Sequence, residues 1–258
     1  TKAEEGLPTV EMGRAGIDVA RSEPGTVYAV VSTEPPPRPE GGAAGRATQE
    51  DVEPLDPNRD GIFKSTDYGV TWEKVNDWRG RPSYYSQIRV DPNDADVFWA
   101  LDSDMGYSDD GGRTMIDGQA VQGETHIDYH AGWIDPNNSD HVIIGGDGGI
   151  NVTWDRGQNW EVVKQIGLAQ IYDFSADMRK PYYLAVGLQD NGVWVGRSRG
   201  RITRGVTNAD WFALSNADGF GTQIDPTDHN TVYATTQGGA LYRRDLETGE
   251  QVRIRPAP

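Results

Sequence analysis

The feature that most limits what this chain can fold into is a turn that returns at a fixed interval. Residues 65–72 read STDYGVTW, 108–115 read SDDGGRTM and 153–160 read TWDRGQNW. All three fit Ser/Thr-x-Asp-x-Gly-x-(Thr/Asn)-Trp, with Met115 in the tryptophan place, and they start 43 and then 45 residues apart. Two further steps of that length reach Ser198 and Arg243, where the motif has gone but strand-like runs, VWVGRS and ALYRR, come to an end. A unit of about 45 residues holding several short strands cannot bury its own apolar face, so its copies must stack, as the blades of a propeller do.

A second ruler agrees. Asp91-Pro92, Asp135-Pro136 and Asp225-Pro226, with Asp177 ahead of Pro181, each precede an apolar run: VFWAL, HVIIG, TVYAT and YYLAV. Val27 to Val31 supplies the same strand in the first copy. The expectation is an all-β chain forming a single β-propeller segment over 1–258, with about five four-stranded blades at approximately 13–78, 82–120, 126–165, 170–206 and 211–256. Residues 34–57, rich in Pro, Gly and charge, read as a surface insertion in the first blade.

The turn itself has a structural explanation. A hairpin between outer strands needs a residue at positive φ, which Gly69, Gly112 and Gly157 can supply. Asp67, Asp110 and Asp155 can accept bonds from the turn's own N–H groups, as can the Ser or Thr hydroxyl. Trp72 and Trp160 are expected to fill the wedge between blades, and Trp99, Trp133, Trp194 and Trp211 read as core.

Charge and composition remove several function classes. With 24 Lys and Arg against 40 Asp and Glu, the formal net charge is −16, the wrong sign for a nucleic-acid partner. Cysteine is absent, so disulfides and thiolate metal sites are excluded. No apolar stretch has the length of a membrane span, and the acidic Thr1 to Glu5 is not a signal peptide.

In a propeller the loops joining strands two and three share a face with the segments leading into the next blade. That phase puts Asp102, Asp104, Asp147, Gln189, Asp190, Asn191 and Gln237 beside Tyr84, Tyr85, His126, Asp128, His130, Gln170, Tyr172 and Asp218. Three functions compete for this face. As a binding module for a glycan, peptide or protein, the chain would use Tyr84, Tyr85, His126, Asp128, His130, Gln170, Tyr172, Gln189, Asn191 and Asp218. As a glycoside hydrolase it would use Asp147 and Asp190 as paired carboxyls, one acid and one base or nucleophile. As a metal site, His126-x-Asp128-x-His130 would point three ligands the same way from one strand. Plainer readings stay open: histidines bonded to backbone, Asp147 capping its own turn, tyrosines packing the channel. Elsewhere, Asp56, Asn58 and Asp60 alternate like the start of a calcium loop, although the twelfth position, Asp67, belongs to the turn motif. No other cofactor is indicated.

The three turns resemble the Asp-box, or BNR, repeats of sialidases, xyloglucanases and the sortilin ectodomain. The span from Gly13 to Pro256 is similar to bacterial BNR-repeat proteins of the sortilin-like, "glycosyl hydrolase"-labelled group, through YYSQIRVDP (84–92), HIDYHAGWIDP (126–136), GGDGG (145–149), DMRKPYYLAVGLQDNG (177–192), NADWF (208–212) and DGFGTQIDPTDHNTVY (218–233). Members of that group are longer. The resemblance therefore implies an internal, extracytoplasmic segment whose propeller is completed by further blades or by other subunits. It implies binding or assembly more than catalysis, because an activity does not follow from a repeat.

Overall fold

The computed structural model describes residues 5–33, 55–79, 86–116, 126–163, 168–200, 203 and 205–254. The chain divides into two compact units, Thr1–Ile166 and Gly167–Pro258. The first unit holds β1 (Met12–Val19), β2 (Val27–Thr33), β3 (Gly61–Ser65) and β4 (Glu73–Asn76), then β5 (Gln87–Val90), β6 (Phe98–Leu101) and β7 (Met105–Ser108). It ends with β8 (Tyr129–Asp135), β9 (Asn138–Gly146), β10 (Gly149–Thr153) and β11 (Glu161–Val163). The second unit holds β12 (Ile171–Ala176), β13 (Tyr183–Leu188), β14 (Gly192–Arg197) and β15 (Trp211–Ser215), followed by β16 (Gly219–Ile224), β17 (Thr231–Thr236), β18 (Ala240–Asp245) and β19 (Gln251–Arg253).

Each group forms one antiparallel sheet with its strands in chain order, four strands in four sheets and three in β5-β6-β7. Where a fourth strand of that second sheet would lie, Ile116 bridges to Tyr107. This repeated meander is the blade of a β-propeller. Within each unit, first strands of successive sheets lie side by side and are tied by side chains: Val90 N donates to Asp18 Oδ2 at 2.9 Å and Arg89 Nε to Gly132 O at 3.1 Å in the first unit. In the second, Thr222 N donates to Asp173 Oδ2 at 2.9 Å and Ile224 N to Ser175 Oγ at 3.1 Å.

Alternation within each strand decides how the sheets stack. Phe98 and Ala100 of β6 join Tyr28, Val30, Ile62 and Ile88 in one buried cluster. Trp99 and Leu101, their neighbours on the other face, join Tyr129, Val142 and Ile144 in another. The middle sheet of the first unit is thus buried on both sides. In the second unit Ala185, Val193 and Val195 meet Ile224, Val232 and Ala234.

The recurrent turns have one geometry. Ser65 Oγ, Ser108 Oγ and Thr153 Oγ1 each donate to the aspartate two residues on, at 2.8, 3.0 and 2.8 Å, and each accepts the glycine N–H four residues on, at 2.9, 2.9 and 2.8 Å. The aspartates accept the N–H of Thr71, Thr114 and Asn159 at 2.9, 2.9 and 2.8 Å. The expected positive φ is found at Gly69, Gly112 and Gly157, and also at the residue before each, Tyr68, Gly111 and Arg156. The Thr71 backbone bond and the other donors around it hold the Asp67 carboxyl down at about 2. The Asp-Pro corners are alike as well: Asn93, Asn137 and Thr227 each return their N–H at 2.8 Å to the Asp two residues before.

Several expectations are revised. Trp211–Ser215 pairs with β14, so it closes the fourth sheet instead of opening the fifth, which begins at Gly219. The fourth copy lacks the short Asp turn that would have marked its outer hairpin. Trp99 is core at 1% exposure and Trp160 meets it edge-on at 5.8 Å, but Trp133 is 47% exposed, and Trp194 and Trp211 are only partly covered. Trp72 packs with Leu7 beside Ala29, Val31 and Phe63. Residues 34–54, most of the anticipated insertion, lie outside the described residues.

Candidate functional site

In the first unit, three segments converge on the residues leading into β8. Asp128 N donates to Ser103 O at 2.9 Å and Tyr129 N to Asp102 O at 2.8 Å, which fixes the lead-in against the β6–β7 loop. From the other side Asp147 N donates to Asp128 O at 3.1 Å, drawing in the β9–β10 turn. That approach explains two glycines of GGDGG. A Cβ on Gly146 would lie 2.3 Å from Asp128 O, and one on Gly148 would lie 2.1 Å from the His126 Cβ. The loops and lead-in segments of this unit therefore do share a face, as the propeller phase requires.

Side chains at this mouth are polar and close. His130 Nε2 lies 2.7 Å from Asp147 Oδ1, with the histidine 41% and the aspartate 18% exposed. Asp128 is 9% exposed and stands at φ 71°, a backbone region that aspartate tolerates better than most residues. Its Oδ1 is buried and has no hydrogen-bond partner among the described residues. Carboxylate oxygens of Asp128 and Asp147 lie within 4.8 Å of one another. His126 turns away, its Nδ1 sitting 2.7 Å from Ile127 O. The alternating triad His126, Asp128, His130 is not formed, because β8 starts only at Tyr129 and the positive φ of Asp128 breaks the alternation before it.

The second unit builds an analogous mouth. Gln189 N donates to Gln170 O at 3.0 Å, joining the β13–β14 loop to the lead-in of β12. Asp190, at φ 56°, donates its N–H to Asp218 Oδ1 at 2.9 Å, and Gln237 Nε2 reaches Asp218 Oδ2 at 2.5 Å. Asn191 Nδ2 donates to Gln189 O at 3.0 Å, and its own carbonyl takes the Trp194 indole N–H at 2.6 Å. Tyr172 stacks on Phe220 with centroids 5.3 Å apart and planes 4° from parallel, and both rings are exposed. Asp147 and Asp190 belong to different units, each in the loop between the second and third strands of its sheet. Tyr84 and Tyr85 lie outside the described residues.

The Asp56, Asn58 and Asp60 segment is organised around protein donors. Asp60 accepts from Thr33 Oγ1 at 2.5 Å and from Arg79 Nη1 at 2.8 Å. Asn58 Oδ1 accepts from Thr9, Asp56 Oδ1 accepts from Asn58 N at 2.9 Å, and Lys74 Nζ donates to Asp56 O at 2.9 Å. A guanidinium and an ammonium thus already bond to oxygens of this loop.

Sequence reasoning missed one cluster. His141 stacks on Trp154 at 3.7 Å and 7°, Trp133 meets His141 edge-on at 5.6 Å, and Asp135 Oδ2 lies 3.2 Å from His141 Nδ1. The available signal was Trp154 itself, which occupies the second place of the turn motif where the other copies have Thr66 and Asp109.

No protein-family profile matches the chain, and a search of curated proteins finds no match. Among solved structures, the GH74 xyloglucanase of Xanthomonas campestris is 15% identical with a TM-score of 0.41, over 93% of this chain and 38% of that one. The GH74 enzyme of Niastella koreensis is 15% identical with a TM-score of 0.42, over 92% and 37%. YCF48, in a structure described as bound to D1 peptide, is 12% identical with a TM-score of 0.38, over 96% and 68%. This chain thus spans under two-fifths of either GH74 enzyme, and similarity at this level says nothing about activity.

Proposed function

We propose that the chain is a β-propeller binding module working outside the cytoplasm, and that its loop face takes a glycan, peptide or protein partner. The observation that carries this reading is the mouth of the first unit. There an exposed His130 is bonded to Asp147 beside a buried Asp128 whose Oδ1 has no protein partner among the described residues. Maintaining a polar atom in that state costs free energy that the turn chemistry does not need, and such costs concentrate at binding sites. The stacked, exposed Tyr172 and Phe220 of the second unit add an aromatic surface of the kind on which a sugar ring or a peptide side chain can lie. Further blades or subunits are part of the proposal as assembly partners.

A glycoside hydrolase using Asp147 and Asp190 is the second reading. In that reading the two loop aspartates would serve as the acid and as the base or nucleophile. One experiment separates the two readings. A panel of glycans and peptides is titrated into the protein while the glycans are assayed for cleavage. Saturable binding without turnover supports the module; turnover abolished by both Asp147→Asn and Asp190→Asn supports the enzyme.

A further inference from the structure

We infer that Asp128 and Asp147 together hold a divalent cation of the calcium type. The inference deepens the proposed use of this mouth, on which it rests for its purpose though not for its chemistry. Two carboxylates with oxygens within 4.8 Å of one another repel unless something positive or a proton lies between them. On one side of this arrangement His130 Nε2 approaches Asp147 Oδ1. Asp128, nine-tenths buried, has no such neighbour: its Oδ1 has no hydrogen-bond partner among the described residues.

The geometry suits a calcium ion. Two oxygens sharing one Ca²⁺ at about 2.3–2.6 Å each stand no more than about 5 Å apart, and the two carboxylates, within 4.8 Å of one another, fall inside that reach. The backbone holds the pair in place rather than leaving it to chance. Asp128 is pinned at φ 71° by bonds from its N–H to Ser103 O and from Asp147 N to its carbonyl. His130 would then act as an outer partner of Asp147, orienting that carboxylate by a hydrogen bond, the usual division of labour around a bound metal. A monovalent ion would neutralise the pair less completely, and a softer metal would favour the imidazoles, which point elsewhere or are already engaged.

The test is calcium binding by the whole chain after treatment with chelator, followed by calorimetry at pH 7. The expected result is one saturable site with a dissociation constant between about 1 μM and 1 mM. Asp128→Asn keeps the backbone preference for positive φ, so it removes charge without forcing a new turn. It and Asp147→Asn should each weaken binding at least tenfold, while Asp109→Asn, an exposed acid elsewhere, should not. Far-ultraviolet circular dichroism shows whether the variants fold. If they do not, the wild-type melting temperature decides: a rise with Ca²⁺ reversed by chelator supports the site. No saturable binding of Ca²⁺, Mg²⁺ or Mn²⁺, no melting shift, or binding that Asp128→Asn leaves intact overturns it. Cation binding with no glycan or peptide bound would sink the proposed function and leave this inference standing; ligand binding without cation binding would do the reverse.

Discussion

His130 Nε2 and Asp147 Oδ1 lie 2.7 Å apart, joining the first strand of the third sheet to the turn between its second and third strands. The pair is partly exposed, so it contributes little to stability, typically under about 1 kcal/mol. Its value lies in holding that turn to the strand at the mouth. His130→Ala should therefore leave the melting temperature within a few degrees of wild type and lower ligand affinity at least tenfold. A large loss of stability with unchanged affinity would mean that the pair is a structural strut.

The glycine loop makes a sharper prediction. A methyl group on Gly148 would stand 2.1 Å from the His126 Cβ, closer than any real contact, so the turn or the lead-in must move. Gly148→Ala should weaken ligand binding as much as His130→Ala does. Gly205→Ala, where an added Cβ meets nothing within 4 Å, should not change ligand binding, although its φ of 74° means some loss of stability.

The hydroxyl at the head of each turn is a good place to test its structure. Thr153 is 1% exposed, and Oγ1 both donates to Asp155 and accepts from Gly157 N. Thr153→Val retains the shape and orphans those partners, which should cost about 1–3 kcal/mol in chemical denaturation. Truncating Trp99, which packs against Tyr107 and Trp160, should cost more, about 3–5 kcal/mol for a fully buried tryptophan.

Acid should act through the same turns. Asp67 is held at about 2 by the Thr71 backbone bond first, then by the Thr71 and Ser65 hydroxyls, against an ordinary value of 3.8. Asp155 is lowered chiefly by Asn159, and Asp110 is lowered by Thr114 and Ser108 although burial pushes it up. The carboxyl is depressed in the folded chain, so the unfolded chain takes up the proton first. The stabilisation is complete above pH 4 and is lost as pH falls towards 2. Thermal melts across that window should show a progressive fall that is shallower in Asp67→Asn.

Much of the fold was legible because it is local. The Ser/Thr hydroxyl and the Asp carboxylate of each turn bond to groups within the same eight residues, so their spacing in sequence is their spacing in space, and each Asp-Pro corner has a local bond of the same kind. Even where the motif had eroded, the predicted steps at Ser198 and Arg243 fell at the ends of third strands, β14 and β18. What escaped depends on distant chain. The outer strand of the fourth sheet is reached through a long link, so Trp211–Ser215 looked like the start of the next repeat. Asp128 looked like the middle of an alternating triad, yet bonds to Ser103 and Asp147 hold it at positive φ. Trp133 meets His141, which in turn stacks on Trp154, a cluster that no periodicity in the sequence announces.

The central claim is that the His130–Asp147 mouth binds a ligand, and calorimetric titration of a glycan and peptide panel into the wild-type chain and Asp147→Asn tests it most directly. Saturable binding by at least one class, weakened tenfold or more in the variant, is the predicted result. Absence of binding across the panel, or affinity that Asp147→Asn leaves unchanged, would contradict it.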